Sequence, residues 1–80
     1  MIMKKFIEKN NKLLQKFEFN NFIEAIDFVN KVADISEKIN HHPDIKIYSY
    51  KNVAIEIYTH SENAITQQDY KLAELISNIK

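Results

Sequence analysis

The chain has three histidines, and all fall within twenty positions: His41 and His42 side by side before Pro43, and His60 after an apolar run. Imidazole is the side chain whose unperturbed pKa lies nearest neutrality, so gathered imidazoles point to proton transfer or metal ligation. Carboxylates accompany them. Glu37 stands one helical turn before His41, the spacing at which a carboxylate reaches an imidazole. There it would hold the ring and raise its basicity. Asp69 follows Thr66 by three residues, a spacing that caps a helix start and favours its dipole. Adjacent histidines in extended chain point apart, which makes joint ligation of one ion by His41 and His42 awkward.

Several elements must bring these residues together. Residues 3–14 place Phe6, Ile7, Leu13 and Leu14 among charges, a spacing that predicts a first helix. Phe17 and Phe19 alternate with Lys16 and Glu18 and predict a short strand. Asn21, followed three positions on by Glu24, forms a capping-box pattern with Asn at the cap. Behind it Phe22, Ile26, Val29, Ala33, Ser36 and Ile39 recur at three- and four-residue steps. Ala25, Val32 and Ile35 widen that stripe into an apolar helix face. The helix must stop near Asn40, because proline pushes the residue before it out of the α region. His41 then sits at the helix exit, and His42 is extended.

Ile45 and Ile47, then Val53, Ile55 and Ile57, alternate with other residues as two strands. Tyr50-Lys51-Asn52 makes the turn between them, with Asn52 able to take the left-handed conformation. Ser61-Glu62-Asn63 is a loop. Thr66 opens a last helix that buries Leu72, Ala73, Leu75, Ile76 and Ile79. The predicted order is α-β-α-β-β-α. This is an α+β fold: an antiparallel sheet of three to four strands, with the helices packed on one face. By strict alternation His60 falls with Glu56 and Tyr58, opposite Val53, Ile55, Ile57 and Thr59. A site at the strand end beside His41 would reconcile the histidines, and so would a bulge.

Eighty residues make a single domain over 1–80. A domain of this size buries only about 60% of the surface its unfolded chain exposes. Cysteine is absent, so neither disulfides nor thiolate metal sites reinforce so thin a core. Self-association, as dimer or tetramer, is the remaining common remedy and is expected. Eleven basic residues balance eleven acidic ones, and the pI is about 6.8. That excludes the basic footprint of a nucleic-acid binder. Charges interrupt every apolar stretch, so no membrane span is expected. The opening MIMKKFIEKNNK lacks the apolar core of a signal peptide, and a cytoplasmic location is expected. Glycine is absent too. Left-handed backbone positions must therefore fall to Asn or Asp or be avoided, and glycine-rich phosphate loops are excluded.

The spaced set Glu37, His41-His42-Pro43, Tyr50, His60 and Asp69 resembles the signature of the pterin-4a-carbinolamine dehydratases, also called 4a-hydroxytetrahydrobiopterin dehydratases. The run FEFNNFIEAIDFVNKVADISEKINHHPD is similar to that family's phenylalanine-rich strand, long helix and HHP turn. The run YTHSENAITQQDYKLAELI is similar to its threonine-histidine strand end, loop and closing helix. The resemblance covers roughly residues 13–80. It implies a substrate, a tetrahydropterin carrying a hydroxyl on C4a, from which water is eliminated to leave quinonoid dihydropterin.

It also implies that His41, His42 and His60 are the active-site histidines, acting as acid and base with no metal and no cofactor. Which of them gives the proton and which takes it stays open. Asp44 and Thr59 are then placed to contact the pterin, Glu37 and Asp69 to support the histidines, and Pro43 to shape the turn. Family members commonly carry glycine in the loop after the threonine-histidine pair, where this chain has Glu62, Asn63 and Ala64. Some relatives act as dimerisation partners of a transcription factor, so a non-catalytic dimerisation or regulatory module of the same fold is the alternative. A scaffold has no need of three imidazoles, which favours the enzyme. A metal site built from histidines and Glu37 ranks last.

Overall fold

Two consecutive asparagines turn the start of the chain back on itself. In the computed structural model, which describes residues 6–79, Asn10 and Asn11 lie in the left-handed region with φ of 54° and 62°. They form the two-residue loop whose twist matches that of paired strands, here β1 (Ile7–Lys9) and β2 (Lys12–Glu18). The helix expected over residues 3–14 is therefore a hairpin in its described part, and residues 3–5 lie outside the described residues. Leu13 and Gln15 are buried and Phe17 is half-buried. That is a strand's two-residue period, disguised by an amide at its centre.

The rest follows the predicted order: α1 (Phe22–Ile39), β3 (Asp44–Tyr48), β4 (Asn52–Ile57) and α2 (Gln67–Ser77). The fold is α+β, with one antiparallel sheet in the order β1-β2-β4-β3. Leu13 pairs with Ile57, Gln15 with Ile55 and Phe17 with Val53, so these side chains share a face. Both helices pack on it, α1 through Ala25, Phe28 and Val32, α2 through Leu72, Ala73 and Ile76. Each large aliphatic side chain fully buried there contributes about 1.5–3 kcal/mol. Among the described residues, no helix is long and apolar enough to cross a membrane.

Caps set where α1 begins and ends. Asn21 Oδ1 accepts the Glu24 N–H at 2.9 Å, and the Glu24 carboxylate accepts the Asn20 N–H at 3.1 Å. At the other end Asn40 is left-handed, with φ 54°, and the Asn40 and His41 amides both return to the Ser36 carbonyl. This closes the helix as glycine usually does. Asn63 also takes the left-handed region, at φ 48°. The β3–β4 turn departs from expectation: Ser49 and Tyr50 are left-handed, at 48° and 53°, while Asn52 already pairs with Tyr48 as the first residue of β4.

Gln15 carries a testable consequence. It is 7% exposed, and its Oε1 is buried without a hydrogen-bond partner among the described residues. An unsatisfied buried acceptor costs about 1–3 kcal/mol, whereas an apolar group of similar shape costs nothing comparable. Gln15→Met is expected to raise the urea midpoint by the equivalent of ~1 kcal/mol at unchanged m-value. A lowered midpoint would show that the amide is satisfied in solution.

Candidate active site

Four element ends converge beside the sheet. Asn40 and Pro43 end α1 and carry His41 and His42 toward β3, which starts at Asp44. On the neighbouring strand, β4 stops at Ile57, and Thr59 pairs with Ala64 across a short loop that holds His60. Next, α2 starts at Gln67. Between these ends lies a cleft of about 360 Å³, lined by His41, His42, His60, Pro43, Asp44 and Thr59. His60 reaches it from beyond the strand end, and it keeps the side of Tyr58, its ring against that of the tyrosine. Asn40, Tyr58, Ser61 and Gln68 complete the lining. For Tyr58 the signal was in the sequence, since alternation places it with His60; no spacing marks out Ser61 or Gln68.

Asp69 stands behind His41 rather than in the cleft. Its side chain is fully buried, and Oδ1 lies 2.5 Å from His41 Nε2 on a ring 12% exposed. Oδ2 accepts from the Thr66 N–H at 2.7 Å and from the Thr59 hydroxyl at 2.8 Å. Thr59 has one proton and gives it to Asp69, so the Thr66 hydroxyl, 2.8 Å away, is the donor to Thr59. Thr59 thus lines the cleft but spends its hydroxyl on the carboxylate. Asp69 caps α2, as expected, and orients His41 besides. A carboxylate only accepts, so a neutral His41 carries its proton on Nε2 and keeps the Nδ1 lone pair open.

Burial alone would push the Asp69 carboxyl up. Hydrogen bonds from His41, the Thr66 amide and the Thr59 hydroxyl, with the charge of His41, outweigh it and hold the group below its ordinary 3.8. A carboxyl lowered on folding adds stability that is complete above the unfolded pKa and is lost as pH falls through the folded one. The Tm should therefore drop more steeply below about pH 4 in the wild type than in Asp69→Asn. Parallel slopes in thermal melts would contradict that assignment.

Glu37 does not meet His41. Its Oε2 lies 2.5 Å from His42 Nε2, and both side chains are exposed. The helical i, i+4 geometry ends at the left-handed Asn40, so spacing along α1 no longer says which ring the carboxylate reaches. His60 Nε2 lies 4.0 Å from Asp44 Oδ2, so Asp44 faces a histidine across the cleft. Among the described residues, no three His, Asp or Glu side chains are grouped to hold a metal ion. A larger groove of about 410 Å³, between Phe17, Phe19, Phe28, Ile76 and Ile79, carries no imidazole. The three imidazoles line the smaller cleft.

Residues 4–79 match the model of a family described as pterin 4 alpha carbinolamine dehydratase. A provisionally named pterin-4-alpha-carbinolamine dehydratase of Sulfolobus acidocaldarius is 43% identical over 72 residues, covering 90% of this chain and 78% of that protein. One of Picosynechococcus, equally provisional in name, is 50% identical over 64 residues, covering 80% and 68%. Among solved structures, the transcriptional coactivator/pterin dehydratase of Brucella melitensis matches with a TM-score of 0.77 at 32% identity, over 91% of this chain and 76% of that one. A pterin dehydratase-like RuBisCO assembly factor of the alpha-carboxysome matches with a TM-score of 0.74 over 92% and 87%. At 18% identity it shares the fold alone.

Proposed function

Because the chain belongs to the pterin 4 alpha carbinolamine dehydratase family, we propose that it eliminates water from a 4a-hydroxytetrahydropterin by histidine acid–base catalysis. The bond from C4a to its hydroxyl breaks, a proton joins the departing oxygen to make water, and the neighbouring ring nitrogen loses its proton. The product is quinonoid dihydropterin. The observation that carries this reading is three imidazoles on one open cleft, one of them backed by a buried carboxylate.

His41 takes the ring-nitrogen proton on Nδ1, since Asp69 fixes Nε2–H and stabilises the imidazolium that forms. This is the orienting role a buried aspartate plays for a histidine base elsewhere. The exposed His42 and His60 supply the proton to the leaving hydroxyl, and imidazoles suit such exchange near neutral pH. Asp44 and the Pro43 turn border the pterin ring. No metal and no cofactor enter the scheme.

Stopped-flow absorbance of a freshly generated 4a-hydroxytetrahydropterin tests the proposal. Dehydration should accelerate on adding the protein, and an inert protein would return the alternative, a non-catalytic binding module. We also place the chain in the cytoplasm as a homodimer or homotetramer. Phe22 and Ile23, in the first turn of α1, are 50% and 69% exposed, apolar surface that a second copy would cover. A monomer on a calibrated sizing column would refute the oligomer.

A further inference from the structure

Each catalytic ring needs a holder, and the third is held differently from the other two. His41 and His42 each meet a carboxylate at 2.5 Å. His60 Nε2 is 4.0 Å from Asp44, beyond hydrogen-bond reach, on a side chain 61% exposed. Its ring lies instead against Tyr58, with centroids 4.2 Å apart and planes inclined by 47°. Tyr58 is itself braced. Lys12 Nζ sits 4.8 Å from the tyrosine ring centroid and 3.3 Å from Glu56 Oε1.

We propose that Tyr58 is a positioning residue: it fixes the imidazole of His60 at the cleft, in place of the carboxylate its two companions have. The catalytic consequence rests on the dehydratase reading; the stacking geometry does not. An aromatic neighbour restrains a ring without occupying either nitrogen. His60 therefore keeps both nitrogens open to substrate and solvent, as a group that must be reprotonated each turnover requires. Without that restraint, an exposed side chain on a four-residue turn samples several rotamers, and small misplacements of a catalytic group are costly. The proposed role belongs to the ring and not to the hydroxyl, so phenylalanine should take it over.

Proton NMR of the full chain, with His60 assigned by comparison with His60→Gln, reads the stack directly. The His60 ring protons should lie upfield of a free imidazole in the wild type and in Tyr58→Phe, and return to free values in Tyr58→Leu. In stopped-flow assays of the same proteins, Tyr58→Leu should lose about tenfold in kcat with little change in KM, and Tyr58→Phe should recover most of that loss. An unshifted His60 in the wild type overturns the proposal. So does full kcat in the leucine variant, or a phenylalanine variant as slow as the leucine one. If the wild type dehydrates nothing, the dehydratase reading falls, while the NMR comparison still decides whether Tyr58 holds His60.

Discussion

His42→Ala is expected to slow dehydration of the carbinolamine by ~10²–10⁴-fold, the share that a positioned general acid or base contributes. The substitution is clean because of where the ring sits. The His42 side chain is 53% exposed and its partner Glu37 is 77% exposed, so neither packs in the core. Surface changes of this kind stay within about 0.5 kcal/mol of stability, and the melting curve should not move. A rate that collapses at constant Tm assigns the loss to chemistry. Glu37→Gln, which keeps the imidazole and removes only its charged partner, should cost far less. Groups that act as a unit are not additive, so His41→Ala with His42→Ala should lose less than the product of the two single losses. A loss below about tenfold in His42→Ala would take this ring out of the proton path.

What the sequence discloses about this fold depends on how local each cause is. The long helix, the β3–β4 pair and the closing helix are written in runs of apolar spacing and caps a few residues wide, Asn21 with Glu24 and Thr66 with Asp69. The opening hairpin is not, because Gln15 occupies a buried strand position where the pattern wants an apolar residue. Leu14, next to it on the opposite face, then completes a false helical stripe with Leu13. The signal for the hairpin is the Asn-Asn pair, since asparagine accepts positive φ more readily than most residues, although Ser49 and Tyr50 take it too in the β3–β4 turn. The site divides in the same way. Histidine identity and spacing announce the cleft, but the partner of His41 lies 28 positions away on another element. Local spacing assigned Glu37 to His41; the left-handed Asn40 turned the chain so that Glu37 meets His42 instead.

Asp69→Asn tests the proton inventory at His41, and its effect should rival that of removing a histidine. Oδ2 of the carboxylate accepts from the Thr66 amide at 2.7 Å and the Thr59 hydroxyl at 2.8 Å, with the Thr66 hydroxyl farther off at 3.4 Å. An asparagine in the same place must turn its oxygen toward those donors, because an NH₂ group there would face two hydrogens. Its NH₂ then faces His41 Nε2, which becomes an acceptor and leaves the ring proton on Nδ1. That is the tautomer with no lone pair for the substrate. Elsewhere, the same exchange behind a histidine base costs ~10⁴ in kcat without disturbing geometry, and a loss of ~10²–10⁴ is expected here. The Thr66 amide keeps its acceptor, so the helix cap survives and the fold should lose only about 1 kcal/mol. Nitrogen-15 spectra of the His41 ring separate this account from a merely structural one. They should report Nε2–H in the neutral wild type and Nδ1–H in the variant. A variant that shows the switched tautomer and still turns over within about threefold of the wild type would mean that His41 is not the base.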